Sequence, residues 1–398
     1  MTKCGFPLWA PGLGAVLLTL GSPVCAQECG PAWIPAFPVD PALYPFTHRC
    51  LDLDPGTLHY MDEGPRGEPA GVALMIHGNP TWSFLYRDVA RTLLPDGWRV
   101  IAPDLFGFGL SDKPDPAVYP YSPRAHSDAL QQFVETLDLR DVVLVVHDWG
   151  GPIGLHMGGG MAERFSSVVI LNSWAWTMSS QRQPWFHDAI HWSRTQVQRA
   201  GTLLRTGVLP RRVGETLGAL HGPPGSAPYG AVRDAYWAPF LDLETGRPLS
   251  EGAMQPTNRP YHFLGEDPEF MEEVMTRVEG LSDHPLYLVT GSRDPLFGVL
   301  RCDELASPPC PPGSSCRDFR GVRVCRDDAS DRLFFPSIDE FRARWNEDQI
   351  VGVLRSPDGE HFVQEYEAEA IAEAIRAVHG VGVGRLRETR EVFSSPRP

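Results

Sequence analysis

The 398-residue chain has no run of about 18 or more apolar residues, so no spanning helix is expected. It also lacks an excess of positive charge. Its 35 basic residues face 50 acidic ones, a formal charge of −15, which argues against nucleic acid or an anionic membrane surface as a partner. Internal repeats are absent. Cysteine is sparse, and the four that cluster late in the chain follow a C-x7-C-x5-C-x8-C spacing without the close C-x2-4-C pairs usual for zinc. What remains is ordinary for a globular protein, 42% apolar and 21% charged, and long enough for one large domain with insertions or for two to three ordinary ones.

The N-terminus is read as a leader. A single early Lys3 precedes a short apolar stretch around Leu13 to Leu20, and Val24 and Ala26 place small residues three and one before Gln27. That pattern fits a signal peptide over residues 1–26, cleaved after Ala26, and predicts a periplasmic or secreted protein. No convincing lipobox precedes Cys25 or Cys29. Once Cys4 and Cys25 leave with the leader, the even set Cys29, Cys50, Cys302, Cys310, Cys316 and Cys325 remains, which in an exported protein reads as disulfides. The connectivity is open. The simplest scheme joins Cys29 to Cys50 and makes two bonds inside the Pro-, Gly- and Ser-rich segment CDELASPPCPPGSSCRDFRGVRVC.

Along the rest of the chain, short continuous runs of Val, Ile and Leu (GVALMIHG, WRVIAPDL, DVVLVVHD, SVVILNS, PLYLVTG, DQIVGVL) alternate with amphipathic segments. Such runs suit strands covered on both faces, and the alternation predicts an α/β fold with a mostly parallel, twisted sheet. Between Trp174 and about Leu281 no buried strand is evident, only helical patches at Trp185–Thr202 and Pro268–Val278. The predicted plan is a core over 27–173, a helical cap over 174–281, a second core part over 282–380 carrying a Cys-rich insert at 300–332, and a flexible tail at 381–398.

In open parallel sheets, ligands sit at the carboxyl ends of the strands. The polar residues falling there are His77 and Asn79, then Asp104, Asp148 with Trp149, Asn172, Asp294, and finally His361. In VLVVHDWGGPIGL a β-branched run meets a Gly-containing turn of the kind that presents the nucleophile in G-x-S-x-G hydrolases, but the tip is Asp148. An acid, a second acid and a late His keep the nucleophile–acid–His order of that fold. A carboxylate at the tip suits displacement at saturated carbon, because no proton has to be removed first.

Six stretches in order, HGNPTWSFLYR, DLFGFGLSDKP, VVHDWGGPIGL, LNSWAW, TGSRDPLFG and GEHFVQEYEAEAIAEAI, resemble the haloalkane dehalogenases. The similarity runs from about Tyr44 to Val378 apart from the Cys-rich insert, and is strongest to the subgroup whose acid follows the seventh strand. It implies an α/β-hydrolase fold of about eight strands with a helical cap. It implies Asp148 as nucleophile, His361 as base and Asp294 as the acid that orients it. It also implies halide ligation by the Trp149 indole and the Asn79 amide, with an oxyanion hole from the backbone N–H groups of the same two residues. No cofactor or metal is called for. The partners would be a small apolar halogenated substrate, water and a halide ion, and the oligomeric state is left open. His77 and His147 are read as structural hydrogen-bonders, Asp104 as a stabiliser of its loop, and Trp174, Trp176, Trp185 and Trp192 as candidates to line an apolar pocket. Two alternatives stand beside this reading. One is an epoxide hydrolase, which would need cap tyrosines drawn from Tyr229, Tyr236 and Tyr261. The other is a catalytically silent exported binding protein.

Overall fold

A computed structural model describes residues 27–29, 39–176, 208–240, 268–294, 302, 310, 313–319, 322–330, 336–381 and 390–393. The predicted leader, the Trp185–Thr202 patch with Trp185 and Trp192, and Tyr261 lie outside these residues.

Among the described residues the main sheet has ten strands: β1 (Gln27–Glu28), β2 (His48–Leu53), β3 (Gly56–Glu63), β4 (Val72–Ile76), β5 (Arg99–Pro103), β6 (Val142–His147), β7 (Phe165–Leu171), β8 (Leu286–Gly291), β11 (Ile350–Ser356) and β12 (Arg390–Phe393). Their spatial order is β1-β2-β3-β5-β4-β6-β7-β8-β11-β12. The first three pairings, β1 with β2, β2 with β3 and β3 with β5, are antiparallel, and all others are parallel. Successive residues of the central strands enter opposite layers, as the period of two requires. Leu74, Ile76, Leu144 and Val146 join a core shared with helices Pro123–Thr136, Gly150–Gly160 and Pro268–Glu279. Ala73, Met75, Val143 and Val145 join the opposite core, under helices Arg87–Leu93 and Ala368–His379. Both faces are thus covered, which is why these strands read as continuous apolar runs rather than alternating ones.

Three expectations are corrected. The sheet has ten strands rather than about eight, because β1 and β12 extend its two edges. The tail is not wholly free: Arg390–Phe393 pairs in parallel with β11, Val392 opposite Leu354, and satisfies an edge that would otherwise be open. Helix Pro268–Glu279, assigned to the cap, packs on the core, since Phe270, Val274 and Val278 are fully buried in the same cluster as Leu144 and Leu155. The cap is represented by helices Val208–Gly218 and Ala227–Trp237, which pack on each other.

The six cysteines pair as Cys29–Cys50, Cys302–Cys316 and Cys310–Cys325. The first ties β1 to β2. The other two clamp a separate hairpin, β9 (Ser314–Phe319) with β10 (Val322–Asp327), in which Cys316 faces Cys325. Among the described residues no helix is long and apolar enough to cross a membrane.

Candidate active site

The site is built from four strand ends. β6 stops at His147 and helix Gly150–Gly160 begins three residues later, so Asp148, with only Trp149 between it and the helix, must turn the chain. It does so at φ 51°, in the left-handed region that Asp tolerates better than most side chains, and it is buried. The loop after β4 comes so close that a Cβ on Gly78 would collide with the Asp148 carboxylate, which is why glycine stands there. This approach lets the Asn79 N–H donate to Asp148 Oδ1 at 2.9 Å. The Trp149 backbone N–H hydrogen-bonds the same carboxylate.

His361 lies beyond β11. Its Nε2 is 3.3 Å from Asp148 Oδ2, and its Nδ1 is 2.9 Å from Asp294 Oδ2. Asp294 sits in the turn after β8 and is 3% exposed, a depth at which a carboxylate needs a partner. The loops carrying Asp294 and His361 are held together by backbone bonds, Ser292 N–H to Ser356 O at 2.8 Å and Arg293 N–H to Gly359 O at 2.9 Å. A Cβ on Gly291 would strike the carbonyls of Gly359 and Glu360, so this contact also depends on glycine.

The electrostatics follow from that geometry. Burial opposes charge on His361, but the Asp294 and Asp148 carboxylates on either side overcome it and push its pKa up to about 10. Burial likewise opposes charge on Asp148, but His361 and the Trp149 N–H hold its pKa below the usual carboxylate range. The raised His361 pKa and the lowered Asp148 pKa together favour an imidazolium beside the Asp148 carboxylate. Alkylation of Asp148 would remove that negative charge and release His361 toward its neutral, basic form.

All five predicted site residues converge here. Asp148, His361 and Asp294 form one continuous line, and Asn79 and Trp149 both reach the Asp148 carboxylate through backbone N–H groups. Trp149 is buried, with the edge of Trp174 packed on it at 4.9 Å between ring centroids. Trp176 turns away from that pair and packs on Phe341. His77 donates from Nδ1 to Gly78 O at 2.8 Å and accepts the Leu105 N–H on Nε2 at 3.0 Å, so both ring nitrogens serve the backbone. Asp104 accepts from Ser83 N–H at 2.7 Å and Leu110 N–H at 2.8 Å and meets His59 at 2.9 Å, tying the loops after β4 and β5.

Two features escaped the sequence reading. Asn172, singled out only as a polar residue at a strand end, donates from Nδ2 to Glu360 O at 2.9 Å and His361 O at 2.8 Å. Glu365, four residues after His361, forms a buried bidentate pair with Arg87 at 2.5 and 2.8 Å. The cap joins that pair: the Tyr236 hydroxyl donates to Glu365, and the His221 ring lies 2.8 Å from it. The sole signal for either was placement, Asn172 at a strand end and Glu365 in the helical turn after His361.

Comparison with known proteins agrees with this architecture. Residues 72–214 match the model of the alpha/beta hydrolase fold. A haloalkane dehalogenase of Mycolicibacterium paratuberculosis is 33% identical over 266 residues, 64% of this chain and 79% of that protein. A cis-3-alkyl-4-alkyloxetan-2-one decarboxylase of Xanthomonas campestris is 32% identical over 269 residues, 64% of this chain and 82% of that protein. The tetrameric haloalkane dehalogenase of Paraglaciecola agarilytica shares the fold, with a TM-score of 0.60 at 22% identity over 90% of this chain and 99% of that one. With its carboxylate at the nucleophile turn and a late histidine between two acids, the chain belongs to the haloalkane dehalogenase family of the α/β-hydrolases.

Proposed function

We propose that the protein hydrolyses small halogenated alkanes to an alcohol, a halide ion and a proton. An oxygen of Asp148 attacks the carbon bearing the halogen. The carbon–halogen bond breaks, the halide leaves with the electron pair, and an alkyl ester of Asp148 remains. Water then adds to the carboxyl carbon of Asp148 while His361 takes one of its protons. The bond from that carbon to the alkyl-bearing oxygen breaks, the alcohol departs, and the carboxylate returns. Asp294 orients His361 and stabilises its positive charge. The N–H groups of Asn79 and Trp149 already lie on a carboxylate oxygen, where charge collects during water attack. The Trp149 indole and Asn79 amide are assigned to the departing halide; an indole N–H donates without offering a competing acceptor.

The observation that carries the reading is the line from Asp148 through His361 to Asp294, with Asn79 and Trp149 on the nucleophile. Incubation with brominated, iodinated and chlorinated alkanes tests it: halide should appear with wild type and be lost with Asp148→Asn. No release from folded wild type would sink it. An oxetan-2-one decarboxylase is the second reading, favoured by the Xanthomonas relative, and carbon dioxide release from a dialkyl oxetanone without halide release from any alkane would select it. The epoxide reading loses one of its candidate donors, because the Tyr236 hydroxyl is committed to Glu365.

Export after cleavage at Ala26 belongs to the same proposal. Pairing of all six cysteines after the leader supports it. Sequencing the N-terminus of the protein recovered outside the cytoplasm should give Gln27; an intact Met1 there, or retention in the cytoplasm, would overturn it.

A further inference from the structure

We propose that Asn172 is the positioning residue for the second, hydrolytic half of the reaction, holding His361 in line with Asp294 and Asp148. The proposal rests on the dehalogenase reading above. Asn172 directly follows β7 with a φ of 35° and is buried. Its carbonyl accepts the N–H of the nucleophile Asp148 at 3.2 Å, and its own N–H donates to Val289 O in β8 at 3.1 Å. Its Oδ1 accepts the Gly291 N–H and the Thr290 hydroxyl, each at 3.0 Å, at the end of the strand that leads to Asp294. Its Nδ2 donates both hydrogens to the loop of the base, to Glu360 O at 2.9 Å and His361 O at 2.8 Å.

The amide orientation is dictated by chemistry. Two of its partners are carbonyl oxygens that only accept, and a third is a backbone N–H that only donates. A carboxylate of the same shape would set an acceptor against two carbonyls, and a leucine would leave all four groups without this partner. The Asn172 side chain therefore joins the loops of Asp294 and His361, while its backbone carbonyl holds the N–H of Asp148. His147 completes the hold on the base: its Nε2–H donates to the same His361 carbonyl at 2.9 Å. Strand pairing between β7 and β8 does not require the Asn172 side chain, because it runs through the backbone.

The consequence falls on one chemical step. His361 takes no proton while Asp148 displaces the halide. It takes one only when water adds to the ester carbon, so a base shifted by a fraction of an ångström slows ester hydrolysis and spares ester formation.

The test is rapid-quench kinetics on the full chain with a brominated alkane that wild type turns over. Bromide and the alkyl ester on Asp148 are followed separately, the latter by mass spectrometry. Asn172→Ala should release about one equivalent of bromide at close to the wild-type rate, then turn over roughly 10- to 100-fold more slowly with the ester accumulated. If both steps fall by the same factor, or neither changes, Asn172 is only a structural residue and the proposal is overturned. Should Asn172→Ala fail to fold, Thr290→Val removes one bond to Asn172 Oδ1 and should slow the same step about threefold. An unselective effect there is equally fatal. A wild type that forms no alkyl ester overturns the parent reading and this one with it, whereas wild-type turnover with an unselective variant overturns this one alone.

Discussion

Three side chains carry opposite charges in a line, and their separate removal should have separate signatures. Asp148→Asn leaves the volume and the fold but offers no anionic nucleophile, so turnover should drop by at least roughly a thousandfold with an unchanged circular dichroism spectrum. His361→Phe removes the base alone. After incubation with substrate its mass should rise by one alkyl group, and an unmodified mass would refute the covalent route. Titration gives a third signature. The pKa of His361 is raised from 6.5 to about 10, so the stability it confers is fully present below 6.5 and is lost as pH rises through about 10. Asp148 is shifted the other way, so its share is present above the ordinary carboxylate range and lost in acid. The melting-temperature gap between wild type and His361→Phe should therefore narrow across pH 6.5 to 10; a constant gap would contradict the ion-pair geometry.

At the scale of elements, the weight falls on the joint between cap and core. The guanidinium of Arg87 is 1% exposed, stacks on Phe84 at 4.1 Å and is matched by Glu365. Burial opposes the Glu365 charge, yet Arg87, His221 and Tyr236 hold its pKa down at about 2. The joint's stability is thus present above the ordinary value of 4.5 and disappears as pH falls through about 2. Glu365→Gln leaves a cation buried without its counter-charge and should cost roughly 3–5 kcal/mol in urea denaturation at pH 7. Tyr236→Phe, which removes one bond to a charged acceptor, should cost about 1.5–3 kcal/mol. A Glu365→Gln protein as stable as wild type would show that water, rather than Arg87, satisfies this carboxylate.

For the molecule as a whole, the disulfides act at the margins of the sheet and outside it. Cys29–Cys50 closes a segment with a sequence separation of 21 and fastens β1, whose one strand partner among the described residues is β2. Replacing both by serine should lower stability by about 2–4 kcal/mol while leaving halide release per folded molecule unchanged. Loss of activity without loss of stability would instead tie that edge to the site. The hairpin of Cys302–Cys316 and Cys310–Cys325 follows Asp294 in the chain and forms a two-stranded sheet of its own.

The sequence by itself determined the parallel core and the identities of the groups that meet in the site. Strands buried on both faces leave continuous apolar runs, and the nucleophile turn is a local event written in consecutive residues from His147 to Gly151. Asp294 and His361 were legible because each lies in the loop that follows a recognisable apolar strand, at the sheet's carboxyl edge. Only the tertiary structure decided what lies between these groups. Asn172 and His361 are 189 positions apart, and Arg87 and Glu365 are 278 apart. No periodicity links such partners, because their contacts arise from packing rather than from the chain's local conformation. The same reason placed helix Pro268–Glu279 on the core and Arg390–Phe393 on the sheet edge: an amphipathic segment shows that it has a face to bury, but not which surface will receive it.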